Sequence, residues 1–300
     1  MKKNIFNAKF EDSLNLHDDA IISFALNNFL KEVETEEKMA LRGTLKSTIW
    51  VIILAIIFVF GLNLLPAFLS DLTFRSSSFN DFLVPPATNF MTYKLYYIFA
   101  IVWLGVVFLG KLLNQRFILG YRGHFHIFVT DIVWFLIELN LFFITFIFPT
   151  LGKLNAILFS ALNVLIFILL FYFRYQSIKN CLYGDAEKES KSVRVLGKGL
   201  QFLKKYGGFI IFILAFTSFF LRNRTMELSD NITFLSFLVL ILALNSIVAV
   251  FEIYLILPYL LTGYYKLKYP EEYRNWEGKT KNEFYGNSYL KKHKELTENE

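Results

Sequence analysis

Six side chains able to ionise or to hydrogen-bond lie inside hydrocarbon-like sequence: Asp131, Glu138 and Asn140 in "DIVWFLIELN", Asn163 in "ALNVLIFILL", and Asn245 and Glu252 in "LNSIVAVFE". A charged side chain at mid-bilayer costs at least ~2.5–3.5 kcal/mol on insertion scales, so such groups normally face a bundle interior, a partner or water. Asp131 and Glu138 are seven residues apart, and Asn245 and Glu252 repeat the interval. Seven residues turn a helix through about 700°, which places each pair on one face roughly 10 Å apart. Two chemistries fit this pattern. In one, the carboxyls are protonated, or bonded to Asn163, Asn245, a tyrosine or a threonine, and fix helix register, with interhelical polar contacts contributing ~0.6 kcal/mol each. In the other, Glu138 and Glu252 carry protons or cations through the bundle. Asp131 has a milder role, because His126 and Arg122 stand near it towards a membrane boundary.

Other chemistries lack their residues. The chain has no HExxH, no GxSxG and no Walker A motif,. In "GHFH" the histidines at 124 and 126 are two apart and do not share a helical face,. With one cysteine, Cys181, and four scattered histidines, no metal site is expected, and no cofactor. "EEYR" at 271–274 has paired glutamates but lies in a polar segment rather than in a span, which argues against intramembrane proteolysis. The residues predict a protein without enzymatic activity.

The elements that must position these groups follow from composition. Of 300 residues, 55% are hydrophobic and 35 are Phe, which marks an integral membrane protein,. A spanning helix needs roughly 20 mostly apolar residues, and six runs qualify, at about 48–69, 95–114, 126–148, 155–174, 206–222 and 232–262. The Lys and Arg residues in the successive connections and the tail number 2, 3, 1, 8, 2 and 8. That alternation puts the second and fourth connections and both termini on the cytoplasmic side, and it accounts for the net charge of +6 without nucleic acid,. The expected fold is an all-α, polytopic helical bundle of about six spans. Its parts are a cytoplasmic N-terminal segment 1–47, a transmembrane domain 48–262 and a cytoplasmic tail 263–300.

Residues 1–47 mix seven Lys/Arg with eight Asp/Glu, unlike a secretory signal, and read as a mature segment,. Within them, 18–40 begins with acidic cap residues and sets Ile22, Leu26, Phe29, Leu30 and Val33 on one side. This predicts an amphipathic helix packed on the protein's own face, since its acids disfavour anionic lipid. The connection 70–94, with Pro85-Pro86, reads as an ordered outer loop whose Phe79, Phe82 and Phe90 offer apolar anchors beside Asp81,. The connection 175–205 reads as a solvated basic turn near lipid headgroups,.

The tail interleaves Tyr269, Tyr273, Trp276, Phe284, Tyr285 and Tyr289 with charges, too aromatic for disorder, so it is expected to fold against the protein or to dock a partner through residues such as Trp276 and Tyr285,. Its run "KYPEEYRNWEGKTKNEFYGNSYLKKH", residues 268–293, resembles the tails of Gram-positive multi-pass membrane proteins of the tandem five-span type. Some of these are immunity proteins against toxins exported by the type VII secretion system. The resemblance implies a protein that stays in the cytoplasmic membrane and neutralises a membrane-active toxin by binding it.

Overall fold

A computed structural model describes residues 3–30, 45–75, 84–184 and 230–296. Two short helices come first, α1 (Phe10–Leu14) and α2 (Ala20–Leu30). Among the described residues, five helices long and apolar enough to cross a bilayer follow: α3 (Ile49–Arg75), α4 (Tyr93–Gly110), α5 (Arg116–Phe146), α6 (Lys153–Tyr183) and α7 (Phe237–Lys268). Three short helices end the chain, α8 (Pro270–Trp276), α9 (Lys281–Tyr285) and α10 (Asn287–Leu290). No strand occurs among the described residues. The chain is an all-α polytopic membrane protein.

The helices overrun several expected ends. The first reaches Arg75 rather than residue 69, and so takes in the start of the expected outer loop; α6 runs on to Tyr183 and α7 to Lys268. Pro66 and Pro258 lie inside α3 and α7. A proline removes one backbone donor, and a local widening of the helix re-accommodates the freed groups. Such π-helical turns precede both prolines, at Ala55–Gly61 and at Phe251–Ile256.

Both termini build one cap on one end of the bundle. The core there joins Ile5, Leu16, Ile21, Ile22 and Ala25 to Phe117, Tyr121, Ile178, Leu182, Tyr259, Tyr265, Tyr273 and Phe284. Thus α2 packs on the protein, as expected of the segment 18–40, with Ile21, Ile22, Ala25 and Leu30 buried. Val33 lies outside the described residues. Tyrosines tie down the N-terminal segment: Tyr265 Oη donates to Ile5 O, Tyr269 Oη to Ala8 O at 2.9 Å, and Tyr183 Oη to Asn4 O at 2.7 Å. Burial pushes the Tyr273 hydroxyl up to about 12, while its bond to Ser13 at 2.8 Å opposes this.

Ion pairs hold the cap. Asp19 accepts from the Ile21 and Ile22 amides at the start of α2 and from the Arg174 guanidinium at 2.8 and 3.2 Å. Lys266 pairs with Glu277, which also meets Lys279 at 2.9 Å. Burial alone would raise the Glu277 carboxyl, but these two lysines hold it below its ordinary value. His17, ringed by Trp276 at 4.9 Å, is pushed down by burial and then by Lys266, against the opposing pull of Glu277 and Asp18.

Direction follows from shared contacts. Leu182 near the end of α6 and Tyr259 near the end of α7 share the cap core, and Asn163 in mid-α6 meets Asn245 earlier in α7. The two helices therefore run parallel. The described chain breaks off at the capped end after Gly184 and resumes towards the opposite end at Asp230. The expected span 206–222 lies outside the described residues.

Candidate functional site

The polar groups of the spans form two separate assemblies on opposite sides of α5. On the side of α3 and α4, Asn63 Nδ2 donates to Asp131 Oδ1 at 2.7 Å, and Trp134 Nε1 donates to Glu138 Oε1 at 2.6 Å. Asp131 ends a π-helical turn, Phe125–Asp131, and the stretch from Ile132 to Phe146 is regular α-helix. Regular winding carries Trp134 and Glu138, one turn apart, onto the same surface. Phe60 and Tyr96 box the Trp134 ring at 6.3 and 5.8 Å, and Tyr96 Oη donates to Phe60 O at 3.1 Å. Glu138 and Asn63 are fully buried, and Glu138 Oε2 and Asn63 Oδ1 have no hydrogen-bond partner among the described residues.

On the other side the amides close a cluster across three helices. Asn140 and Asn245 exchange side-chain bonds at 2.8 and 2.9 Å, and Asn245 Nδ2 also donates to Asn163 Oδ1 at 3.1 Å. Asn140 and Asn163 each send a further donor back to a carbonyl one turn earlier, Leu136 O and Phe159 O. This cluster fixes the register of α5, α6 and α7, and it rests on amides alone rather than on a carboxyl. Glu252 lines the same cleft as the three asparagines, so the interval from Asn245 does keep both on one face. Its Oε1 is nevertheless buried without a hydrogen-bond partner among the described residues.

The structure separates the remaining candidates. Asp131 finds Asn63 rather than His126 or Arg122. Arg122 instead donates to the carbonyls of Gly110 and Leu113, where α4 ends, and His126 lies against Gly110. His124 Nδ1 bonds Tyr259 Oη at 2.8 Å. Phe79, Asp81 and Phe82 lie outside the described residues. Phe90 is 51% exposed, on a loop pinned by its own amide to Thr145 Oγ1 at 3.0 Å and by Val84 N to Thr150 Oγ1 at 2.9 Å. Trp276 is exposed as well, but Tyr285 is buried: its hydroxyl donates to Glu271 at 2.7 Å and its ring meets Phe117 edge-on. Glu271 also takes Arg274, so "EEYR" is a strut of the cap.

Asn63 and Trp134 belong to the site and are not among the residues that sequence spacing singles out. Asn63 has the same signal as Asn163, an amide within an apolar run, and Trp134 stands four residues before Glu138. Arg174, counted as one of the basic residues after the fourth span, is fully buried and paired to Asp19. Compared with protein-family models, with curated proteins and with solved structures, the chain gives no significant match in any of the three.

Proposed function

We propose that this protein is a non-enzymatic binding protein of a Gram-positive cytoplasmic membrane, with both termini inside, that protects its producer against a membrane-active toxin of type VII secretion. The observation that supports this reading is how the polar groups are committed. Asp131, Asn140, Asn163 and Asn245 each hold a neighbouring helix, and both chain ends are built into one cap. What remains for a partner is the membrane-embedded surface and the outer loop around the exposed Phe90. Exposed aromatics beside such a surface serve as anchors in protein interfaces.

Expression in a sensitive strain should preserve membrane potential when toxin comes from neighbouring cells. Replacing Phe79, Phe82 and Phe90 with serine should weaken protection without lowering the amount of protein in the membrane. Deletion in a toxin-free background should change neither growth nor ion content, and a change in either would reject protection as the role. In a Cys181→Ser background, a cysteine at position 280 should resist impermeant maleimide on whole cells. A second reading, a small proton- or cation-coupled transporter, draws support from Glu138 Oε2 and Glu252 Oε1, which are buried and have no hydrogen-bond partner among the described residues. It requires that Glu→Gln at either position abolish flux in proteoliposomes.

A further inference from the structure

A cleft of about 670 Å³ opens between α5, α6 and α7. Its volume falls in the range of sites that hold a drug-sized molecule, roughly 300–1,000 Å³. The walls are hydrocarbon and aromatic, with Phe125 and Leu136 from α5, Phe167 and Phe171 from α6, and Ile253 from α7. Val164, Phe167 and Phe171, on the α6 side, are 58%, 50% and 40% exposed on a helix that crosses the bilayer. The cleft is therefore reached from the hydrocarbon, which a hydrated inorganic ion does not enter.

One group in this wall carries an ionisable charge. Among the described residues that line the cleft, Glu252 is the one acid and none is Lys, Arg or His. The three amides beside it do not compensate it, because Asn140 and Asn245 spend both side-chain donors on carbonyl oxygens and Asn163 donates to Phe159 O. A carboxyl without cation or donor, inside an apolar and aromatic wall, complements a molecule that brings a positive charge on an apolar body. Aromatic faces add to the attraction for such a cation.

We propose that this cleft is a binding site for a lipophilic organic cation, held by Glu252 against the phenylalanines of α5 and α6. The site does not depend on the protection reading, and binding there requires no transport.

The test uses the full chain in nanodiscs of phosphatidylcholine, with radiolabelled tetraphenylphosphonium as probe and tetraphenylborate as an anion of the same shape. Above protein-free nanodiscs, tetraphenylphosphonium should bind saturably, one per chain, and tetraphenylborate should not. Glu252→Gln should weaken that binding about thirtyfold or more, the loss typical when one member of a desolvated charge pair is removed, while Glu252→Asp should retain most of it. Equal binding of both probes would make the cleft a crevice for any lipophile, an acyl chain included, and would overturn the proposal. So would binding no greater than that of protein-free nanodiscs, or unchanged affinity in Glu252→Gln. Should Glu252→Gln fail to fold, the discrimination between cation and anion by the unaltered protein decides the matter.

Discussion

Replacing Asp19 with alanine strips the buried Arg174 guanidinium of its carboxylate and α2 of its cap in one step. The side chains of the pair are 0% and 3% exposed, and the guanidinium makes both of its close bonds to Asp19. Its Nε has no hydrogen-bond partner among the described residues, and the Tyr254 ring lies 5.6 Å from the charge. Leaving one member of a buried pair uncompensated costs about 3–5 kcal/mol, and losing an aspartate cap adds about 1 kcal/mol. Cys181 reports the result directly. Its thiol donates to Asn15 O at 3.1 Å, just before α2, and Asn15 Nδ2 donates back to Leu182 O. When the N-terminal segment lifts, that thiol opens.

A loss of about 3 kcal/mol multiplies the open fraction about 150-fold. Maleimide labelling of the solubilised protein should therefore accelerate by about tenfold at least in Asp19→Ala, even where direct access already sets part of the rate. Asp19→Asn keeps the cap acceptor but still strands the guanidinium, and should show most of the effect. Arg174→Met combined with Asp19→Asn removes both charges, keeps the cap, and should fall back towards the unaltered rate. Single variants within twofold of the unaltered rate would refute the reasoning, as would a double variant worse than the sum of its parts.

Gly263 faces the Tyr121 ring, where an added Cβ would stand 2.8 Å from two ring atoms, and that ring is itself stacked on Tyr259 at 4.7 Å. Gly263→Ala should therefore destabilise by about 1–3 kcal/mol, read as a lower melting temperature in detergent. Asn245→Leu leaves both Asn140 and Asn163 without their shared partner and should cost about 1–2 kcal/mol in nanodisc melts. For acid, both His17 and Glu277 have folded-state values below their ordinary 6.5 and 4.5, so each binds fewer protons folded than unfolded,. Cap stability is then complete at neutral pH and is lost as pH falls, first below 6.5 through His17 and again below 4.5 through Glu277. Hydrogen exchange of α8, corrected for intrinsic rate, should rise in those two windows, and a flat profile would contradict the assignment.

Much of this arrangement was legible because the bilayer demands so much of a sequence. Twenty apolar residues in a row have few homes, so the described spans stand near their expected places. Their ends were harder to read. The residues from Tyr175 to Tyr183 look like a solvated turn, yet α6 continues through them, because Ile178 and Leu182 fall on the face that meets α1 and residues 15–18. No local rule shows that a segment some 150 residues away in sequence covers that face. Likewise the tail's tyrosines announce order but not what they bond: Tyr265 and Tyr269 serve backbone carbonyls at Ile5 and Ala8. The amide cluster was readable as inward-facing, while the pairing of Asn63 with Asp131 depended on how α3 sits against α5.

The two intramembrane glutamates show how far a neighbour decides the fate of a charge. Glu138 has Trp134 one turn before it on regular α-helix, and the indole N–H donates to its carboxyl at 2.6 Å. Glu252 has Val248 at the corresponding position, which has nothing to donate, and the helix widens into a π-helical turn at Phe251. On the same spacing argument both carboxyls face inward, and both do. The first faces a packed aromatic box, the second a cleft that Val248 itself lines. A helix donor within one turn commits a carboxyl to structure, because the bond forms without the cost of bringing two helices together. Where that donor is missing, and no neighbouring helix among the described residues supplies one as Asn63 does for Asp131, the carboxyl stays available to whatever enters beside it.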